Sequence, residues 1–404
     1  MKRSRIAAID VGTTKVCTIM ADNDGNGGLR IIGVGIAPSQ GLQKGLVVNV
    51  NEAKESIRES VRKAERVAGY RLESAYVGVT GRHISSINNR GVIVINRNDQ
   101  LVRSSDLKRV LDVARSVKVP ADRKLLHVIP RSYAVDGQEG VKNPVGMHGF
   151  RLDVEAHIIT AAVASVQNLT KCIRGVGIEI EDLLMEPLAS AEAVLSEEEK
   201  MNGVMVADIG GGTTDIAVIK DDTIYHTAVI PVAGYQLTRD ISVGLGLSHE
   251  MAEEMKKKYG NVLPVDKDAA EGDRPLVQDG HSVSYNDLSD IIRVRVEELL
   301  RLIVMELPRT DFDKLIPAGL VLTGGSANLP GIAELGEQVT RIPVRVGAPT
   351  NLFGVTDNLR DPAYATGVGL ILWQMKNKGA GEQSWVKSRS GVRRFFSRIL
   401  PLFR

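Results

Sequence analysis

Residues 204–219 contain the residue types that bind a polyphosphate, in the order V-M-V-A-D-I-G-G-G-T-T-D-I-A-V-I. Two β-rich runs flank the glycines, which predicts a strand, a turn and a second strand. The glycines and threonines expose backbone N–H groups and hydroxyls to anionic oxygens, and glycine adopts backbone angles that other residues resist. Asp208 suits a hydrated Mg²⁺, which takes one or two carboxylates plus waters and phosphate oxygens. The alternative is a glycine-rich hairpin between two core strands, without a ligand.

Residues 6–20 repeat this pattern as I-A-A-I-D-V-G-T-T-K-V-C-T-I-M. Asp10 matches Asp208 and Gly12 matches Gly210. The two threonines that follow the glycine or glycines in each segment are expected to correspond. Two such turns, about half a chain apart, predict two similar α/β lobes that face each other. Neither turn is a Walker loop, because the sequence contains no G-x-x-x-x-G-K-[ST] motif.

The two turns resemble the phosphate-binding loops of the actin, Hsp70 and sugar-kinase superfamily, and three further segments resemble its other signatures in order. Residues 185–191 (M-E-P-L-A-S-A) resemble the helix that connects the lobes, and residues 322–331 (L-T-G-G-S-A-N-L-P-G) resemble the adenosine loop. Residues 363–370 (A-Y-A-T-G-V-G-L) resemble the second connecting helix. The set covers residues 1 to about 373 and is most similar to the FtsA family of bacterial cell-division proteins.

This resemblance implies an α/β, actin-like ATPase fold, in which two ribonuclease-H-like lobes surround a nucleotide cleft, with an inserted α+β subdomain and a C-terminal amphipathic helix. The expected segments are a first lobe (1–82 and 160–203), the inserted subdomain (83–159), a second lobe (204–232 and 301–375), a small subdomain over the nucleotide (233–300), a linker (376–390) and the amphipathic helix (391–404). Residues 266–290 are polar and irregular, which predicts a loop.

The resemblance also implies that ATP and Mg²⁺ bind between the lobes. Asp10 and Asp208 would reach the metal, mostly through water. The phosphates would be held by Gly12, Thr13, Thr14, Lys15, Gly210, Gly211, Gly212, Thr213 and Thr214. The adenosine would be flanked by Gly324, Gly325 and Ser326. Glu253 and Lys256 would hold the ribose and purine, and Gly234 would lie beside the nucleotide. Glu253 and Lys256, three residues apart on a predicted helix, also have an ordinary interpretation as a surface ion pair.

Glu186 matches the position at which relatives place a water-orienting acid. Its alternative is a helix-start role beside Pro187. We therefore expect at most a slow ATPase, in which ATP mainly sets conformation and self-association.

Composition limits the partners and the compartment. Hydrophobic residues make up 43% of the chain and charged residues 25%, which is ordinary for a soluble globular protein. Two cysteines, Cys17 and Cys172, offer no disulfide framework, and no segment resembles a signal peptide or reaches the roughly 18 apolar residues of a membrane span. Residues 376–404 carry eight lysines and arginines against one acid, which leaves the rest of the chain at a net charge of −5. We expect a cytoplasmic protein that does not bind nucleic acid.

The basic tail contains the run G-V-R-R-F-F-S-R-I-L-P-L-F-R. At about 100° per residue, its apolar side chains fall within an arc of about 160° and its arginines fall outside it. Bulky apolar groups on one face and cations on the other suit an anionic membrane surface. The expected membrane contacts are Val392, Arg393, Arg394, Phe395, Phe396, Arg398, Ile399, Leu400, Leu402 and Phe403. The alternatives are a helix docked on the protein's own body and a partner-binding helix.

Three functions are compatible with these features. The resemblance favours an ATP-binding, self-associating protein on the cytoplasmic face of the inner membrane, which tethers filaments of the tubulin-like protein FtsZ at the division site. Later division proteins would be recruited in part through the inserted subdomain. The alternatives are an adaptor of another membrane machine, of the pilus-assembly type, and a sugar kinase, which would leave the amphipathic helix unexplained.

Overall fold

The computed structural model describes residues 4–23, 29–263, 275–278, 281–307 and 315–379. Within these ranges the strands are β1 (Ser4–Val11), β2 (Lys15–Asn23), β3 (Leu29–Pro38), β4 (Leu42–Gln43), β5 (Leu46–Val47), β6 (Ser74–Val79), β7 (Ile84–Val94), β8 (Arg123–Val135), β9 (Gln138–Val141), β10 (Arg151–Ala162), β11 (Glu179–Met185), β12 (Val204–Ile209), β13 (Thr214–Lys220), β14 (Thr223–Ile230), β15 (Pro275–Gln278), β16 (His281–Ser284), β17 (Leu320–Thr323), β18 (Val344–Val346) and β19 (Phe353–Gly354). The α-helices are α1 (Val50–Ala68), α2 (Ser104–Arg115), α3 (Val163–Arg174), α4 (Glu186–Val194), α5 (Glu197–Asn202), α6 (Gly234–Leu245), α7 (His249–Tyr259), α8 (Tyr285–Met305), α9 (Ile332–Thr340) and α10 (Ala365–Gly379).

The chain forms two compact units. The first contains the described residues of Met1–Ser86 and Ala161–Gly379, and the described residues of the second are Ile87–Thr160. Two sheets of the first unit share one strand order: β3-β2-β1-β6-β11, extended by β19, and β14-β13-β12-β17-β18. In each sheet three antiparallel strands are followed by two strands parallel to the central one. This repeat confirms the prediction of two related α/β lobes.

The central strands β1 and β12 are buried on both faces, which is why they read as nearly continuous apolar runs. Each has an acid as its second-last residue, Asp10 or Asp208, and each acid is buried. Helix α1 covers the first sheet with one apolar face. Asn49 caps its start, because the Asn49 side chain accepts hydrogen bonds from the backbone N–H groups of Asn51 and Glu52.

The helices α4 and α10 pack closely against each other. A Cβ atom at Gly369 of α10 would collide with the backbone carbonyl of Ala189 in α4, so only glycine permits this approach. Ser190 of α4 and Thr366 of α10 both donate hydrogen bonds to Asp208, which places both helices at the end of β12.

The second unit is an α+β subdomain. Its sheet has the order β7-β10-β8-β9, and α2 contributes buried residues to its core. The apolar run Gly91–Ile95 lies mostly within the single long strand β7. A helix–sheet arrangement with its own apolar core confirms the predicted inserted α+β subdomain.

Two sequence predictions were wrong in part. Residues 376–379, expected to begin the linker, continue helix α10 to Gly379. Residues 266–290, expected to form one irregular loop, include the hairpin of β15 and β16 and the first turns of α8, which starts after its cap residue Ser284. The rest of the expected linker and residues 391–404 lie outside the described residues.

Candidate functional site

The two predicted phosphate turns have the same backbone geometry. Between β1 and β2 the N–H of Gly12 donates to the carbonyl of Lys15 at 3.0 Å, and between β12 and β13 the N–H of Gly210 donates to the carbonyl of Thr213 at 2.9 Å. Each turn therefore spans four residues, 12–15 and 210–213, directly after the acid-bearing strand.

This geometry corrects the expected correspondence of the threonines. Because the turns superpose from Gly12 on Gly210, the partners of Thr13 and Thr14 are Gly211 and Gly212, and not the threonines that follow them. The expected reason for the glycines was also wrong, since none of the three glycines at 210–212 has a positive φ.

The glycines are required by the close approach of the two turns. A Cβ atom at Gly211 would collide with Thr14 Cγ2, and a Cβ atom at Gly212 would lie 2.5 Å from Thr13 Oγ1. Contacts under 3.0 Å are essentially unknown for real Cβ atoms. The hydroxyls of the first turn thus lie directly against the bare backbone of the second turn.

The two acids at the strand ends are buried and costly to ionise. Burial raises the pKa of Asp10 to about 6; nearby Lys15 opposes this shift and Asp208 adds to it. Burial also raises the pKa of Asp208, against the hydrogen bonds that Ser190 and Thr366 donate to its Oδ2 at 2.5 and 2.9 Å. Both carboxylates would be stabilised in their charged form by a nearby cation.

Glu186, the first residue of α4, is buried and has an orphaned oxygen. Its Oε1 has no hydrogen-bond partner among the described residues. Burial, reinforced by Asp10 and Asp215, raises the pKa of Glu186 well above its usual value. A cavity of about 20 Å³ is lined by Glu186, Thr80 and residues of β4 and β5. That volume holds about one water, so the geometry suits a carboxyl group that orients a single water.

The predicted adenosine residues gather on the Gly210 side of the second turn. Ser326 Oγ donates to the carbonyl of Gly210 at 3.1 Å, and the N–H of Gly234 donates to the same carbonyl at 3.1 Å. Gly324 has a left-handed backbone (φ 85°), and a Cβ atom there would collide with Asp208 Oδ1. Gly325 follows at the start of a 3₁₀ turn, Gly325–Asn328.

Glu253 and Lys256 form an ion pair of 2.6 Å on α7, but not an ordinary surface pair. Lys256 Nζ also donates to the carbonyl of Gly234 at 3.1 Å and to Thr238 Oγ1 at 2.8 Å. Burial lowers the pKa of Lys256, and the Glu253 carboxylate opposes that shift. The pair therefore connects α7 to the start of α6 beside the second turn.

Several residues at this site were not predicted. Asp215 pairs with Asp208 across β12 and β13 and accepts a hydrogen bond from Thr80 Oγ1. Burial raises the pKa of Asp215 to about 7, against the Thr80 hydrogen bond. The acid that ends the motif D-I-G-G-G-T-T-D was the available signal for Asp215. Nothing local in the sequence marks Ser190 and Thr366, which come from two distant helices.

The donor set fits a metal held through water. In the part of the chain that the structure describes, no three His, Cys, Asp or Glu side chains come together as direct ligands. Mg²⁺ usually keeps several waters and uses one or two carboxylates plus phosphate oxygens, which Asp10 and Asp208 can satisfy.

The residues expected to contact a membrane, 392–403, lie outside the described residues. Across the described ranges, no helix combines the length and apolar character needed to cross a bilayer.

Comparisons with known proteins agree with this fold. Residues 205–369 match the family model "Cell division protein FtsA", and residues 81–160 match the model "SHS2 domain inserted in FTSA". A protein named Cell division protein FtsA from Pseudomonas aeruginosa is 42% identical over 392 residues, which cover 95% of this chain and 93% of that one.

Two solved structures share the architecture. The "PilM-PilN type IV pilus biogenesis complex" matches with a TM-score of 0.66 at 16% identity, covering 93% of this chain and 99% of that chain. MreB 5 of Spiroplasma citri bound to AMPPNP matches with a TM-score of 0.56 at 13% identity, covering 94% and 98%. At these identities the likeness shows the fold alone, and it confirms the predicted actin-like architecture.

Proposed function

Because the chain belongs to the FtsA family of cell division proteins, we propose that it binds ATP and Mg²⁺ between its two lobes, self-associates at the membrane and tethers FtsZ filaments there. The observation that carries the nucleotide site is the pair of matching turns, 12–15 and 210–213, which meet with hydroxyls on one side and bare backbone on the other. A protein of the same fold, MreB 5, is described as bound to AMPPNP, which supports this assignment.

In this proposal, different residues contact different parts of the nucleotide. The two turns would offer N–H and hydroxyl donors to the phosphates, with Lys15 as a cation, and Asp10 and Asp208 would hold the water shell of Mg²⁺. Bound Mg²⁺ neutralises phosphate charge and polarises phosphoryl oxygens. Gly234, Lys256 and Ser326 would contact the nucleotide on its adenosine side. Ser326 Oγ and the N–H of Gly234 donate to the carbonyl of Gly210, and Lys256 Nζ donates to the carbonyl of Gly234.

Glu186 is assigned to orient a hydrolytic water through its orphaned Oε1. We predict that Glu186→Ala lowers ATP turnover by about a hundredfold, the lower end of the range for a positioned acid or base. Single-turnover measurements with radiolabelled ATP test this prediction. Equal rates in the variant and the wild type would remove Glu186 from the chemistry and leave it a role at the start of α4.

The tail supplies the membrane contact in this proposal. Residues 391–404 would bury Phe395, Phe396 and Phe403 in the interface, and Arg393 and Arg394 would attract acidic head groups. Each cation near an anionic surface contributes roughly 1 kcal/mol. The protein would then act at the division site on the cytoplasmic face of the inner membrane and help recruit later division proteins through the inserted subdomain.

The test is co-sedimentation. The full chain with ATP is mixed with vesicles that contain anionic lipid and with purified FtsZ, and the FtsZ that pellets with the lipid is measured. The matched controls are a truncation before Gly391 and neutral vesicles. We expect FtsZ in the pellet only with the full chain and anionic lipid.

The other outcomes separate the parts of the proposal. If the chain pellets but FtsZ stays in solution, the membrane contact stands and the FtsZ tether is replaced by the adaptor function. If the truncated chain pellets equally, the tail is not the membrane contact. The pilus-complex likeness gives the adaptor function no support beyond the shared fold, because the identity is 16%.

A further inference from the structure

A short hairpin of β4 and β5 has its tip at Lys44 and Gly45. Both tip residues have left-handed backbone angles, with φ of 49° and 73°. Two-residue hairpin loops that need positive φ at both positions favour asparagine followed by glycine. A lysine in the first position costs about 1–2 kcal/mol, because its Cβ crowds the backbone in this conformation. The chain thus places a charged residue where an uncharged asparagine would be less strained.

The tip contacts both phosphate turns. The N–H of Gly45 donates to Thr13 Oγ1 of the first turn at 3.2 Å. A Cβ atom at Gly212 of the second turn would lie 3.0 Å from Lys44 Cα. On the other side the tip packs against the end of β6, where a Cβ atom at Gly45 would lie 3.0 Å from the carbonyl oxygen of Thr80. These contacts fix Lys44 at the junction of the two turns.

The residues at the two ends of the second turn (210–213) indicate how a nucleotide would be oriented along it. At its Gly210 end lie Ser326 and Gly234, which belong to the adenosine side. At its Gly212 end lies Lys44. A polyphosphate that runs along this turn from the adenosine side therefore ends beside the hairpin tip.

Charge also favours a phosphate contact for Lys44. Four buried acids surround the turns, namely Asp10, Glu186, Asp208 and Asp215, and they would repel a phosphate chain. ATP carries about four negative charges and Mg²⁺ balances about two of them, so the remaining negative charge favours nearby cations. Lys15 supplies one. Lys44 is half-buried and forms no ion pair with any residue that the structure describes.

We propose that Lys44 binds the terminal phosphate of the nucleotide and so distinguishes a triphosphate from a diphosphate. The proposal rests on the proposed ATP site and adds to it a ligand from outside the two turns. It also explains the strained lysine at the hairpin tip, because the lost backbone energy is offset only when an anion is bound.

Lys44→Asn is the informative variant, because asparagine suits the left-handed position and only the charge is removed. Full-length protein is titrated with ATP and, separately, with ADP, both with Mg²⁺, by isothermal calorimetry. A charged hydrogen bond to phosphate predicts at least a roughly tenfold loss of ATP affinity and a roughly threefold or smaller loss for ADP. Lys44→Arg, which keeps the charge, should retain both affinities within about threefold.

A thermal melt without nucleotide separates this role from a structural one. The proposal predicts that Lys44→Asn melts at the wild-type temperature or above it. A lower melting temperature with unchanged ATP affinity would overturn the proposal. Equal losses for ATP and ADP, or no loss, would also overturn it while leaving the ATP site intact. A wild-type chain that binds neither nucleotide would overturn the proposed function itself, and this inference with it.

Discussion

The first lobe has Thr13 and Thr14 at the positions where the second lobe has Gly211 and Gly212. The two turns otherwise share their length and their closing hydrogen bond. Because a Cβ atom at Gly211 would collide with Thr14, the bulk of one turn fits the space left by the other. Two identical turns would either clash through four threonines or leave a gap between four glycines. The two halves of the site have therefore diverged into complementary shapes.

The strands behind the turns differ in charge. Cys17 lies opposite Asp10 in the first lobe, and Asp215 lies opposite Asp208 in the second. Burial raises the pKa of Cys17 to about 12, so this side chain stays neutral. Asp215 is equally buried but accepts a hydrogen bond from Thr80. The second lobe thus tolerates a second acid, Asp215, because Thr80 donates a hydrogen bond to it.

The largest effect is expected from making the first lobe resemble the second. Cys17→Asp would place a carboxylate in a fully buried position beside Asp10, without the donor that Asp215 has. We expect the free energy of unfolding at pH 8 to fall by about 3–5 kcal/mol, the usual cost of an uncompensated buried charge. Urea unfolding followed by circular dichroism measures it.

Cys17→Asn is the matched control, because it has the same shape without the charge. Cys17→Asn should lower the free energy of unfolding at pH 8 clearly less than Cys17→Asp does. If the two variants are equally stable, the first lobe can solvate a second acid and the contrast between the lobes is wrong.

The strands and turns of this site were predictable from the sequence. The correspondence between residues of the two turns, which depends on strand register, was not. An acid at the end of an apolar run, followed by glycine, predicts a strand and a turn from neighbouring residues alone. Thr13 corresponds to Gly211 because of the strand register at which each hairpin turn begins and ends. The two pairs of threonines in the sequence suggested a different correspondence. A shift of one residue in such a turn changes which side chains face the partner.

The contacts between distant elements explain the remaining omissions. Ser190 and Thr366 reach Asp208 from two helices that only the folded chain brings together. Nothing in the sequence around Lys44 marks it, because its proposed role depends on the contact of its backbone with Gly212. The fold itself was recovered because the signatures of both lobes recur in order along the chain.

A second, smaller effect tests the shape complementarity of the turns. Gly211→Val would force a branched side chain against Thr14, and overpacking of this kind costs about 2–3 kcal/mol. Removing the obstacle with Thr14→Gly in the same chain should restore more than half of the lost stability. The four chains of this double-mutant cycle are compared by urea unfolding.

Gly325→Ala serves as the control for adding a side chain near the cleft, since its Cβ atom would meet nothing closer than 3.7 Å. It should leave stability within about 0.5 kcal/mol of the wild type. If Thr14→Gly gives no rescue, the turns do not approach as closely as the complementary shapes require.

The last effect comes from removing the extra acid of the second lobe, and unlike the others it depends on pH. The pKa of Asp215 is raised to about 7 in the folded chain, against about 3.9 for an unfolded aspartate. Between those values the folded chain binds more protons, so the stability contributed by this group falls as the pH rises from about 4 to about 7. Above pH 7 the full penalty is present.

Asp215→Asn should therefore raise the free energy of unfolding at pH 8, by up to about 4 kcal/mol for a shift of about three pKa units, and leave it nearly unchanged near pH 4. The amide oxygen still accepts the hydrogen bond from Thr80, so the difference reports the charge. Thermal melts in EDTA, without nucleotide, across this pH range measure it. If Asp215→Asn raises the free energy of unfolding equally at pH 4 and pH 8, Asp215 is not the titrating group. The second lobe then accommodates its two acids as readily as the first lobe accommodates one.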